Sequence, residues 1–307
     1  MFEATQAMMI YCTSPLHAGA GQAFGLIDNP IQREKHTEHP VIAGSGVKGA
    51  LRHHLWRKWE RGDGEQTRKL LDRIFGPEGG NKEELRAGAI SFSDAQVLCF
   101  PVRSVKSGFV YATSPLCLAR AQRLLTMCGE QVAWAVPAVA DEEAVLLNTA
   151  LLSGDDLLLE AQQFVAKIDG DAAGLKKIAE DIARIALPDG GYFSDKLQLD
   201  LVLLSDTDFS WFVRQSTVVE AHVAIEDKTG TAKDGSLHYT ENLPPESILI
   251  CAAMATVERK EGGLMAAAML SPVVNALDGA LVQMGGDATT GRGQVVLHFT
   301  EGQSHEG

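Results

Sequence analysis

An α+β fold is predicted by three observations. Residues 2–12 open the chain as an apolar run suited to a buried strand, and residues 47–60 place Val47, Ala50, Leu51 and Leu55 at helical spacing. Residues 89–93 then return to a strand. Strands with helices crossing between them fit a ferredoxin-like core, which the pattern alone does not separate from other α+β folds. A length of 307 residues with 45% hydrophobic content suffices for one large domain, or for a core with an insertion.

The first strand leads into the densest stretch of glycines and ionisable groups in the chain. Residues 17–28 leave the strand through glycines that admit positive φ and close approach of backbone to a ligand. His17 and Asp28 are the two groups in it that can transfer a proton or bind a metal. Residues 29–40 are polar, mixed in charge and bracketed by prolines, so a surface loop is expected. Residues 41–52 read as strand, glycine turn and helix start. Ser45 is the expected N-cap, which leaves the amides of Gly46, Val47 and Lys48 pointing outward at the positive end of the helix dipole, an arrangement that binds phosphate. Lys48 and Arg52, four residues apart, share a face and strengthen that field.

Further along, residues 67–75 form a short helix ended by Gly76-Pro77, and residues 79–86 a charged loop. Residues 97–102 read as a strand and 103–108 as a linker. Ser114-Pro115 opens a helix that runs to residue 127 and stops at Gly129. Two apolar runs, 144–152 and 157–164, are expected strands. Residues 172–187 are the clearest helix, with Leu175, Ile178, Ala179, Ile182, Ile185 and Ala186 in one stripe closed by Pro188. Alternation of Leu197, Leu199, Leu201 and Leu203 predicts a strand over 196–204. Residues 219–226 and 236–240 also alternate, around a polar, glycine-containing segment, which predicts a long projecting hairpin. A buried strand (248–255), a helical run over 264–284 interrupted near Ser271-Pro272, a last strand (294–299) and a frayed tail (303–307) complete the chain.

A formal net charge of −13 argues against diffuse adhesion to nucleic acid or anionic membrane. Any RNA contact must be local, and Arg33, Lys35, Lys48, Arg52, Arg57, Lys58 and Arg61 supply the candidate cluster, which read as charge pattern alone is equally a solvated face. The five cysteines are scattered without a C-x-x-C pair, as buried thiols of a reducing cytoplasm would be. No apolar run reaches the roughly 18 residues of a membrane span. His36 and His39 lack zinc-ligand spacing, and residues 44–49 fail the G-x-x-x-x-G-K-[ST] pattern, which disfavours ATP hydrolysis.

Three stretches near the N-terminus carry a resemblance: His17 with its glycine loop, Asp28-Asn29-Pro30-Ile31-Gln32-Arg33, and Gly44-Ser45-Gly46-Val47-Lys48-Gly49. A fourth lies near the C-terminus, Gly285-Gly286-Asp287-Ala288-Thr289-Thr290-Gly291-Arg292-Gly293-Gln294. Together they resemble the RAMP superfamily and, within it, the repeated backbone subunit of type III-B (Cmr) CRISPR-Cas effectors. One departure is Ala43-Gly44-Ser45-Gly46 where the family carries Pro-Gly-Ser-Ser or similar, a looser turn. The resemblance implies a modified ferredoxin-like, RRM-like RAMP fold as a single domain over 1–307, its palm built from both ends of the chain and a β-hairpin thumb inserted at 216–245. It also implies a guide-RNA-coating subunit that cleaves complementary target RNA with a divalent metal ion, Mg2+ or Mn2+, held at Asp28. Its partners would be guide RNA, target RNA, further copies of itself, other RAMP subunits and the large subunit.

On this reading Asp28 is catalytic, with His17 and Glu241 assisting, and Tyr239 beside Glu241 at the hairpin base. Gly44, Ser45, Lys48, Arg52, Gly286, Arg292 and His36 would contact RNA. The residues by themselves leave other roles open. Asp28 before Asn29-Pro30 is a good turn former, His17 can shape the glycine loop by hydrogen bonding, and residues 285–293 suit a tight turn. A purely structural RNA-binding filament subunit is the alternative to the nuclease, and a lone processor of guide precursors is a third class.

Overall fold

The computed structural model describes residues 2–21, 26–60, 64–78, 87–168, 172–259 and 262–304. The expected charged loop at 79–86, Arg61, part of the glycine loop (22–25) and the end of the tail (305–307) lie outside the described residues. The first half of the chain runs β1 (Ala4–Cys12), β2 (Val41–Ile42), α1 (Gly44–Trp59), α2 (Gly64–Phe75), β3 (Ile90–Phe92), β4 (Ala95–Ser104), β5 (Gly108–Thr113), α3 (Pro115–Met127), β6 (Glu143–Leu146), β7 (Leu152–Ser153), β8 (Asp156–Leu159) and β9 (Gln162–Lys167). The second half runs α4 (Ala172–Ala186), α5 (Tyr192–Asp200), β10 (Leu201–Leu204), α6 (Asp206–Gln215), β11 (Val218–His222), β12 (His238–Asn242), β13 (Ile248–Ala255), α7 (Ala266–Leu277), β14 (Leu281–Gln283), β15 (Gln294–Phe299) and β16 (Gln303–Ser304).

Among the described residues, one 14-stranded sheet follows the order β14-β15-β1-β13-β4-β5-β10-β6-β9-β8-β7. β8 returns to β4 through Ser104 and Leu159, which gives that half of the sheet a closed, barrel-like form. β1 is the spine, antiparallel to β13 (Met8 opposite Cys251) and to β15 (Ile10 opposite Leu297). Its residues alternate between two cores, as strand geometry requires. Met8, Ile10 and Cys12 join α1, α2, α7 and the barrel aromatics Phe164, Phe209 and Phe212, whereas Ala7, Met9 and Tyr11 pack under α3 and α4. All five cysteines are free and buried, and no helix of the described residues is long and apolar enough to cross a membrane.

Several elements depart from the sequence expectation. Residues 196–204 are not one strand: α5 ends at Asp200 and only 201–204 are extended. Leu197 is buried while Leu199 is 59% exposed, and Lys196 and Asp200 meet four residues apart in a buried ion pair of 2.5 Å, joined by Ser107 and Asn148. That internal pairing needs helical spacing and overrides the leucine alternation. The expected linker 103–108 is the turn of a hairpin, with Gly108 at φ 71° leading into β5. The runs 144–152 and 157–164 divide into β6 to β9 and a single 3-10 turn, Thr149–Leu151. The helical run over 264–284 ends at Leu277, because Gly279 at φ 67° turns the chain into edge strand β14. Pro272 stays inside α7, where Ser271 Oγ donates to the Ala267 carbonyl. In the tail, residues 303–304 pair with β1.

Candidate functional site

The two glycine-rich segments meet around His17. Gly286 N–H donates to the His17 carbonyl (2.9 Å) and Gly293 N–H to that of Pro15 (2.8 Å). Gly285, at φ 76°, lies so close that a Cβ there would sit 2.3 Å from the His17 carbonyl oxygen. Only glycine suits this position on both counts. The His17 ring hydrogen-bonds through Nδ1 to the Glu241 carbonyl at 2.7 Å. A carbonyl only accepts, so Nδ1 carries the proton, and Nε2 faces Gly19.

Asp28 stands exposed where its loop docks on the hairpin. β11 and β12 form their own two-stranded sheet, separate from the large one, and residue 29 pairs parallel to Thr240 along its edge. Asn29 N–H donates to the Tyr239 carbonyl, and Glu241 N–H to that of Asn29. The Asp28 carboxylate accepts the Tyr239 N–H at 2.8 Å through Oδ2. Among the described residues this is its one hydrogen bond, and the side chain is otherwise exposed. Next to it a groove of about 670 Å³ is lined by Ala20, Leu26, Ile27, Arg33 and Arg214.

Several expected site residues prove to be committed within the fold. Glu241 is 3% exposed, and its carboxylate accepts from Ile31 N–H, Arg33 and Thr217 at the wall of the same groove. Ser45 is not the N-cap. Ala43 holds that place, helix α1 begins at Gly44, and the Gly44 amide is filled by Asp94 Oδ1 at 2.8 Å. Gly44 itself is buried, and a Cβ there would press 2.4 Å from the Phe92 carbonyl, so it serves packing against β3. The protein's own carboxylate thus sits at the helix dipole where a phosphate was expected, while Ser45 remains exposed beside it. Arg52 is 14% exposed and grips the C-terminal end of α2, bonding Asp72, the Gly76 carbonyl and Glu78. Lys48 has no such partner among the described residues. It is half-buried, and burial followed by the Arg52 charge lowers its pKa.

Arg292 bonds both carboxylate oxygens of Glu220 at 2.6 Å, tying the C-terminal glycine loop to the hairpin. The Gly286 amide is likewise used on His17. His36 is exposed but stands on Arg120 of α3, away from the groups gathered at the hairpin base. Arg33, Thr217, Asp94 and Glu220 were missed or left unassigned as organisers because their partners lie 24 to 208 residues away. Among the described residues no group of three or more His, Cys, Asp and Glu is placed to hold a metal.

A mixed α/β chain whose N- and C-terminal glycine loops close on one histidine is the setting in which the sequence motifs function together. The RAMP superfamily matches residues 9–296, and the chain belongs to that family. Within it, the chain is 32% identical over 298 residues to the CRISPR system Cmr endoribonuclease Cmr4 of Pyrococcus furiosus, covering 95% of this chain and 94% of that one. The crystal structure of oligomeric Cmr4 from Pyrococcus furiosus aligns with a TM-score of 0.73 at 28% identity, over 98% of this chain and 99% of that one. A cryo-EM structure of the type III-B Cmr-beta complex bound to cognate target RNA contains a chain that aligns with a TM-score of 0.72, over 97% of this chain and 98% of that one. At 17% identity the latter likeness concerns the fold.

Proposed function

We propose that this protein is the repeated backbone subunit of a type III-B (Cmr) CRISPR-Cas effector, coating the guide RNA and cleaving complementary target RNA through Asp28. The observation that carries the reading is the 32% identity to a Cmr endoribonuclease across 95% of the chain. The exposed Asp28 carboxylate, fixed by Tyr239 N–H, supports it locally. Strand order β15-β1-β13-β4, antiparallel throughout with α1 following β1 and α7 following β13, favours a modified ferredoxin-like palm. The β11–β12 hairpin fits a thumb that reaches a neighbouring copy, since Val219, Val223, Ile225 and Leu237 are exposed along it. Five buried free thiols suit a cytoplasmic setting.

The chemistry would be attack of a ribose 2′-hydroxyl on the adjacent phosphate. The O2′–P bond forms, the P–O5′ bond breaks, and cyclic phosphate and 5′-hydroxyl ends result. Asp28 would orient the hydroxyl or hold a divalent ion such as Mg2+ or Mn2+. A single exposed carboxylate fits an ion that keeps several waters and takes phosphate oxygens from the substrate, rather than one caged by protein. When bound, that ion would neutralise charge developing on the phosphate. The chain's own contribution is placement: the hairpin edge and the two glycine loops fix where Asp28 stands.

The test is Asp28→Asn in the assembled complex with guide RNA. Assembly and target binding are expected to persist, and cutting at regularly spaced positions to disappear. Unchanged cutting would leave a purely structural filament subunit.

A further inference from the structure

The hairpin and the Asp28 loop are built as one piece. Among the described residues β11 and β12 share no strand pairing with the large sheet, and residue 29 adds a single parallel bridge to Thr240 along their edge. The junction is locked by Glu241. Its Oε2 accepts Ile31 N–H at 3.0 Å, while Oε1 accepts Arg33 Nη2 at 2.5 Å and Thr217 Oγ1 at 2.8 Å. Its backbone also accepts from His17 and donates to Asn29. Arg33 carries the connection onward, because Nη1 donates to the carbonyl of Glu38 and to that of Val213 near the end of α6.

From this we infer that Glu241, Arg33 and Thr217 form a clasp of positioning residues, through which the setting of the hairpin determines where Asp28 stands. The inference rests on the assignment of cleavage to Asp28. A hairpin seated on a neighbouring copy or on RNA would then draw the Asp28 loop into place, and a hairpin out of place would withdraw it. Cleavage becomes conditional on what the hairpin touches.

Glu241→Gln is the informative variant, because it keeps the shape and reverses one contact. The carboxylate faces donors on both oxygens, so a Gln amide nitrogen must point at a donor whichever way it turns. In the free protein, hydrogen exchange at the amides of Asn29, Ile31, Tyr239 and Glu241 should quicken about tenfold, in line with the loss of one charged hydrogen bond. Amides of β1 and β13 should keep their protection. In the assembled complex, single-turnover cutting at saturating target should fall about a hundredfold, the scale of a 1 Å misplacement, with target affinity unchanged. Thr217→Val should slow cutting in the same way, and Thr217→Ser, which restores the hydroxyl, should recover it.

Unchanged exchange at the four amides overturns the clasp. So does quickened exchange with wild-type cutting, which would make the junction merely structural. Asp28→Asn run alongside separates the two failures. Full cutting by that variant removes the assignment to Asp28, whereas lost cutting there with normal cutting by Glu241→Gln removes the clasp alone.

Discussion

Lys48 and Arg52 share a helix face in the sequence, yet the fold gives them opposite tasks, and two substitutions separate these. Arg52→Met keeps the aliphatic stem and removes the hydrogen bonds to Asp72 (2.7 Å), to the Gly76 carbonyl (2.5 Å) and to Glu78 (3.0 Å). Glu78 is 68% exposed and adds little, but Asp72 and the Gly76 carbonyl lose a charged donor in a half-buried setting. At roughly 1.5 kcal/mol each, the loss is about 3 kcal/mol of stability. For a chain of this size that corresponds to a fall in melting temperature of about 6 °C. Lys48→Met has no such partners to strand, so its melting temperature should stay put. On the RNA-coating reading it should instead weaken guide-RNA binding about fivefold and reduce the slope of log affinity against log salt by about 0.7, the value for one phosphate contact on a single strand. Thermal denaturation and salt-dependent binding titrations read both arms. Arg52→Met with an unchanged melting temperature and a reduced salt slope would refute the assignment.

Other outcomes follow from single sites. Gly285→Ala should destabilise by about 3 kcal/mol, combining a left-handed backbone with the clash on the His17 carbonyl, whereas Gly279→Ala, left-handed but open, should lose only about 1 kcal/mol in urea denaturation. Lys196→Met leaves Asp200 charged and buried and should lose about 3–5 kcal/mol, partly regained in Lys196→Met with Asp200→Leu. His39 is 1% exposed on Ser210 and Phe209, and burial, opposed by Glu34 and Asp206 and aided by Arg120 and Arg214, holds its pKa down to about 4. The unfolded chain therefore binds the proton first, so this stability is full above about pH 6.5 and is lost as pH falls toward 4. With screening allowed for, about 2 kcal/mol is at stake. His39→Gln should flatten stability across that window.

The parts legible in sequence were those written in local periodicity. The stripe of 172–187, the Ser114-Pro115 helix start and the alternating strands around residues 227–235 all appear close to where they were expected. Helix α5 was misread because Leu197 and Leu199 imitate a strand, while the Lys196–Asp200 pair that decides the matter needs Ser107 and Asn148 from elsewhere. Helix α6 did carry a usable signal, the N-cap Ser205, whose Oγ accepts the Asp208 N–H and donates to the Asp208 carboxylate. At the site, glycine spacing singled out the loops that meet at His17. It could not reveal that Glu241 is committed to residues some 210 positions earlier, nor that Arg52 and Arg292 have acceptors inside the protein.

The enclosed sulfurs bear on how this molecule can be studied. Burial pushes Cys12 and Cys117 up to about 12 and Cys128 up to about 11, and Cys99 and Cys251 rise as well. Thiolate is the reactive form, so alkylating dyes and spin labels should pass over all five in the native state. A single cysteine introduced at Gly230, on the hairpin turn, would then be the sole point of attachment on an otherwise wild-type background, and the path of that limb during assembly could be followed by fluorescence.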